Sequence, residues 1–346
     1  MRLALPLLVL SSLATAQLPV VSPIGHTNLE GPSDNMYPWS NPFRYQQVHT
    51  DLRGTPLPIT GIAWRRNQDE FLPSTSSAKT FDMELTLCDA DANTFGITFA
   101  SNYVGTPVNV LVRRQVNSVD WRPAIGQRPA PFDFVIPFDV PFVYLGQNDL
   151  LYEVVVYMTS NSVYQCDAVN GLSRPTTIYG SYTSEGTGCT TTNGSFLLRS
   201  QLRHVFTTSQ MVFQWDVVAA PPLATGAVLV GFAPFNVPVP GLCTNVYTDG
   251  SLLSVPLTSL ANGTGSTLAI GVPYNPTWVG VPLSAQAACL DATQPGIGLA
   301  ASQGVRSSIP IEVLPTVNGA RVWSLNNPLS ATGTRSPNSW LVTQFR

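Results

Sequence analysis

Asp89, Asp91 and Asn93, in the run Asp89-Ala90-Asp91-Ala92-Asn93, put side-chain oxygens at every second position, as calcium-binding loops do. A complete EF-hand loop also needs glycine at its sixth position for the turn and glutamate at its twelfth for bidentate ligation, where this chain has Thr94 and Ala100. Asp and Asn form turns by bonding their own backbone. The run therefore reads as a solvated turn, with calcium on Asp89, Asp91 and Asn93 as the lesser alternative. A second candidate chemistry is glycoside hydrolysis by paired carboxylates. Asp82 and Glu84 lie about 7 Å apart on one strand face, and hydrolysis would need a further carboxylate, such as Asp133, to converge on them. Any solvent-facing strand gives the same spacing. Gly-x-Ser-x-Gly, His-Glu-x-x-His and Walker patterns do not occur. His26, His49 and His204 are isolated; His204 alternates as a structural strand residue, and His49 reads as a surface residue. Trp39 and Trp121 stand beside prolines, where a ring either caps the core or stacks on a sugar. Asn193-Gly194-Ser195 and Asn262-Gly263-Thr264 match the glycosylation acceptor pattern and indicate surface turns.

The scaffold that must position these residues is poor in charge. Of 346 residues only 11% are charged, and 17 basic against 20 acidic residues leave a net charge of −3. Sixteen of the basic residues are scattered arginines and Lys79 is the single lysine. Nucleic acid is not an expected partner, because no cationic excess exists to displace phosphate counterions. An apolar share of 44% excludes disorder from low hydrophobicity, and 30 prolines spread along the chain exclude long helices. Arg2, the apolar run Leu3–Leu13 and Ala14-Thr15-Ala16 read as a signal peptide over residues 1–16, which predicts export. Ser336–Arg346 carries no hydrophobic anchor, so the expectation is a secreted protein, extracellular, periplasmic or associated with the cell surface. Export permits disulfides. Cys88, Cys166, Cys189, Cys243 and Cys289 allow about fifteen two-bridge arrangements, none selected by spacing, and no C-x-x-C pair suggests zinc or redox chemistry.

Period-two alternation dominates the pattern. Phe81, Met83, Leu85 and Leu87 alternate with polar residues, as do Met211, Phe213, Trp215 and Val217. Ile59–Trp64, Val108–Val116, Phe132–Phe138, Leu150–Met158, Ala227–Phe232, Thr267–Val272 and Ala320–Leu325 are further strands bounded by turn residues. The fold class is therefore all-β, built as sandwiches. Length favours two domains. Tyr179–Gly188 is rich in turn residues and marks the boundary, beyond which acidic residues shrink to Asp216, Asp249 and Asp291 between Cys189 and Pro310.

Arg44-Tyr45-Gln46-Gln47-Val48, Ile59–Trp64, Thr98–Gly105 and Pro141–Leu145 resemble, in order, a secreted β-sandwich module of environmental bacteria whose function is not established. The closing strands of that module are similar to Arg321-Val322-Trp323, Thr332-Gly333-Thr334 and Leu341–Phe345. The middle of the chain, with Gly186-Thr187-Gly188-Cys189, Pro240-Gly241-Leu242-Cys243 and Ala301–Val305, resembles a second exported β-module, also without assigned activity. Together the resemblances imply two jelly-roll-like sandwiches: domain one over residues 23–177 and 314–346, and domain two over 186–310, inserted into it. Tandem domains are the alternative. The resemblance places Cys189 and Cys243 where the second module carries cysteines, implying Cys189–Cys243 with Cys88–Cys166 and leaving Cys289 buried and unpaired; Cys243–Cys289 is the rival.

With no catalytic motif and no cofactor signature, the chain reads as a structural or interaction module, not an enzyme, whose partner is a glycan or another envelope protein. Glycan binding through Trp39 and Trp121 is the second reading, and a carbohydrate-active hydrolase the third.

Overall fold

The computed structural model describes residues 18–346 apart from 32, 36–38, 40, 68–75, 124–125, 161–163, 171–176, 312–318 and 338. The leader expected over residues 1–16 lies outside the described residues. Within them the chain is all-β, with antiparallel sheets and two short 3-10 turns, Phe99–Asn102 and Pro276–Trp278.

Alternation builds the first sandwich. In Thr80–Ala90, Phe81, Met83, Leu85 and Leu87 are wholly buried while Asp82, Glu84 and Thr86 face the other side. That strand belongs to a six-stranded sheet in the order Thr334–Pro337, Gly319–Leu325, Phe43–His49, Asp149–Thr159, Thr80–Ala90, Val104–Asn117. A four-stranded sheet, Val20–Ser22, Thr343–Phe345, Leu57–Trp64 and Phe134–Tyr144, supplies the facing layer. The core between them includes Trp39, Tyr45, Trp64, Phe81, Phe134 and Tyr152. At one side the two sheets meet edge to edge, where the Asp139 carboxylate accepts the Val112 amide at 2.9 Å and pairs with Arg114. Pro137 and Pro141 lie in the edge strand Phe134–Tyr144, where a proline is tolerated and blocks further pairing.

Strands from the far end of the chain are integral to both layers. Gly319–Leu325 pairs with Phe43–His49 over seven residues, and Thr343–Phe345 lies between Val20–Ser22 and Leu57–Trp64. Ser339–Leu341 pairs with Cys166–Asn170.

The intervening chain forms a second set of sheets. The largest runs Leu253–Thr258, Thr225–Gly231, Pro282–Leu290, Gly304–Ser308, Tyr182–Glu185 and Gln127–Arg128, with Leu299–Ala301 beside Pro282–Leu290. A core of Phe196, Leu198, Trp215, Val217, Val228 and Ala287 packs beneath it. Two expectations change here. The turn-rich Tyr179–Gly188 contains the strand Tyr182–Glu185, which pairs on one side with Gly304–Ser308 and on the other with Gln127–Arg128. The alternating run Met211–Val217 is two strands in two sheets: Gln210–Phe213 pairs with Arg203–Val205 and Ile270–Pro273, whereas Trp215–Val218 pairs with Leu197–Ser200 and Gly265–Ser266. The break falls at Gln214, whose carbonyl is bonded by the Gln201 amide at 2.9 Å. Side-chain alternation continues across a strand that changes sheets, so periodicity alone does not reveal the switch.

Candidate functional site

The aromatic candidates are inside the protein. Trp39 is 0% and Trp121 1% exposed. Trp39 sits edge-on to Trp64 and Phe134 at ring separations of 5.0 and 5.3 Å. Trp121 stacks on Tyr164 at 4.0 Å, and its Nε1 donates to Asp133 Oδ1 at 2.8 Å. Neither ring offers the open face that stacking on a sugar requires. Both complete the core, because apolar loop residues next to prolines fold inward as readily as strand residues.

The acidic candidates do not converge. Asp89 Oδ2 accepts the Asn148 amide at 3.2 Å, while Asp91 Oδ1 accepts both the backbone and side-chain nitrogens of Asn93 at 3.0 and 2.9 Å. That is an Asx turn. Asp82 is held by Arg113 on the outer face of the six-stranded sheet, which also keeps its carboxyl below the usual range, and Glu84 accepts the Tyr157 hydroxyl at 2.8 Å. Asp133 lies against Trp121 in the other layer, its carboxyl raised by burial.

Among the cysteines, Cys189 and Cys243 are bonded, with Cα atoms 5.3 Å apart. Cys88 and Cys166 are both buried and free, which corrects the expected second bridge. Cys88 follows Leu87 and points away from the inter-sheet core, toward the Val104 carbonyl, whereas Cys166 lies within that core. One step along a strand reverses the side chain, and the two thiols face different layers. Cys289 is buried and free.

His49 is also not a surface residue: it is 2% exposed, and burial lowers its pKa to about 3. Its contacts fix its tautomer. Ser22 Oγ lies 2.7 Å from Asp51 Oδ1, a carboxylate that must accept the hydroxyl proton, so His49 Nδ1–H donates to Ser22 Oγ at 2.6 Å. Nε2 then accepts from the Gln47 amide at 3.0 Å. Gln47 in turn bonds the Leu341 backbone twice, accepting its N–H at 2.8 Å and donating to its carbonyl at 3.0 Å. Aspartate here contacts serine, with histidine on serine's far side; serine, not histidine, is the middle member, unlike a hydrolytic triad, and His49 and Ser22 are buried. This chain of hydrogen bonds pins the N-terminal and C-terminal strands to Phe43–His49. His204 is buried as expected, stacked on Tyr274 at 4.0 Å.

The exposed feature absent from the sequence reading is an apolar arm. After Thr225–Gly231 the chain forms a hairpin of Pro234–Pro238 with Asn245–Thr248. The returning strand is anchored: Tyr247 N donates to Gln286 Oε1 at 2.9 Å, and Gln286 Nε2 donates to the Asn245 carbonyl at 2.8 Å. Tyr247 fits because Gly186 and Gly304 lie beneath it; a Cβ at either would stand 1.8 or 2.3 Å from the tyrosine. The Cys189–Cys243 bond and Thr244 Oγ1, which donates to the Thr187 carbonyl at 2.6 Å, fasten the tip. The outgoing strand is left open, with Phe232 50%, Phe235 42%, Val237 40% and Val239 36% exposed. Pro234 and Pro238 remove amides from this strand, and Pro240 from the turn after it, which makes the edge a poor template for another strand.

No match to this chain is returned by comparison with protein-family models, with curated proteins or with solved structures.

Proposed function

We propose that the protein is an exported interaction module whose apolar arm, Phe232–Val239, is the contact surface. The carrying observation is that four large apolar side chains are held in water on a braced hairpin, where folding could have covered them. Leu229 and Leu252, 37% and 40% exposed, extend the same apolar character. The edge prolines direct recognition to side chains and away from strand addition. The disulfide supports export, since such bonds persist in oxidising compartments, and no helix among the described residues is long and apolar enough to cross a membrane. The inserted organisation belongs to the same reading, supported by the pairing of Gly319–Phe345 with the first 170 residues.

The test compares the chain from Gln17 onward with its Phe232→Ser/Phe235→Ser variant, by sedimentation and by retention on the envelope fraction of the exporting cell. The expected result is wild-type protein in an assembly or retained on the envelope, with the variant released as a monomer at unchanged melting temperature. Equal behaviour of the two proteins would sink the reading.

A further inference from the structure

Most of the exposed arginines among the described residues are already held by a carboxylate. Arg44 and Arg65, less exposed, each hold one as well. Among the described arginines, Arg335 alone is exposed and has no partner. It stands on the edge strand Thr334–Pro337, opposite Val322, and lines a cleft of ≈ 490 Å³. The cleft lies between that strand and the loop after Thr80–Ala90, with Gly319 and Ala320 as floor and Thr50, Arg53 and Asn93 on the walls.

Its electrostatics are one-sided. Asp149, the carboxylate in the cleft, has both oxygens occupied: Oδ1 accepts Arg53 Nε at 3.0 Å and Oδ2 accepts the Ala92 amide at 2.8 Å. Arg53 binds Asp149 through Nε, and its side chain is 49% exposed, so its terminal nitrogens remain open to the cleft. Two guanidiniums thus present donors to a space whose lone carboxylate is neutralised by one of them, Arg53, which leaves Arg335 as the uncompensated charge. A guanidinium fork matches a planar carboxylate in bidentate geometry. The remaining walls are the Thr50 hydroxyl, the Asn93 amide and small side chains, Ala92, Ala320 and Pro337, with no aromatic or long aliphatic group, which suits a hydroxylated acid and not a fatty one. The volume lies within the range of small-ligand sites, roughly 300–1,000 Å³.

We propose that this cleft binds a carboxylated sugar, with Arg335 and Arg53 gripping the carboxylate and Asn93 facing the hydroxyls. The site is distinct from the apolar arm and does not depend on it.

Isothermal titration of the intact chain with trigalacturonate and with N-acetylneuraminate distinguishes a uronate from a sialic acid; maltotriose and sodium acetate are the neutral and bare-anion controls. Saturable binding of one acidic sugar is expected, weakened about tenfold or more by Arg335→Gln, less by Arg335→Lys, which keeps charge without the fork, and weakened by added salt. Arg335 is exposed, so an unchanged melting temperature of the variants shows that folding is intact. Binding of maltotriose or acetate as tight as that of the acidic sugars overturns the sugar-acid assignment. Absence of saturation by either acid, or equal affinity in Arg335→Gln, overturns the site.

Discussion

Burial holds the imidazoles of His26 and His49 neutral and so links stability to acidity. The pKa of His26 falls to about 4, through desolvation and then the nearby Arg65 charge, and that of His49 to about 3 through desolvation. The unfolded chain takes up these protons near pH 6.5 and the folded chain does not, so stability is full above about pH 6.5 and declines as pH falls toward the folded values. Each histidine supplies at most about 1.4 kcal/mol per pH unit, and the two together roughly 4 kcal/mol between pH 7 and 5. Asp51 and Asp167, whose pKa values burial raises, act with the opposite sign, closer to the ordinary carboxylate range. Urea unfolding at pH 7 and pH 5 should show this loss, and His49→Gln should remove about half of it. An unchanged urea midpoint between the two pH values would contradict the buried neutral imidazoles. That His49 reads as a surface residue in sequence is understandable, since its burial comes from Ser22 and Phe345, on strands 27 or more residues distant.

At the scale of elements, strands were legible wherever one face is buried and the other wet. Thr80–Ala90 and Leu57–Trp64 follow the alternation closely. The arm was not, because Phe232, Phe235, Val237 and Val239 look like core residues when read by polarity; only the completed sheet shows that nothing covers them. Its brace is the Cys189–Cys243 bond, which closes a loop of 54 residues. Chain entropy assigns such a loop about 4 kcal/mol. Cys243→Ser should therefore lower the unfolding free energy by roughly that amount, in the typical range of about 2–4 kcal/mol, and dithiothreitol should reproduce the effect in the wild type. If thermal melts of oxidised and reduced protein coincide, the bridge is not bracing the fold.

For the whole molecule, the decisive feature is that the chain returns to its beginning. Thr343–Phe345 is an internal strand of the four-stranded sheet, and Trp340, Leu341 and Phe345 are buried. Each such side chain contributes about 1.5–3 kcal/mol on burial, against a total of about 5–15 kcal/mol for an ordinary protein. A chain ending at Pro337 should lose its cooperative thermal transition and its near-ultraviolet circular dichroism. Retention of both would mean that these strands are an accessory.

Composition and period by themselves determined that this protein is poor in charge and that its described residues are all-β without a long helix, because proline spacing and side-chain alternation act locally. Which cysteines meet, which tryptophans are covered, where Gln214 passes the strand to another sheet and which arginine stands unpaired were decided only in three dimensions. Those properties depend on which distant segments come to lie alongside one another, and local pattern carries no record of that choice.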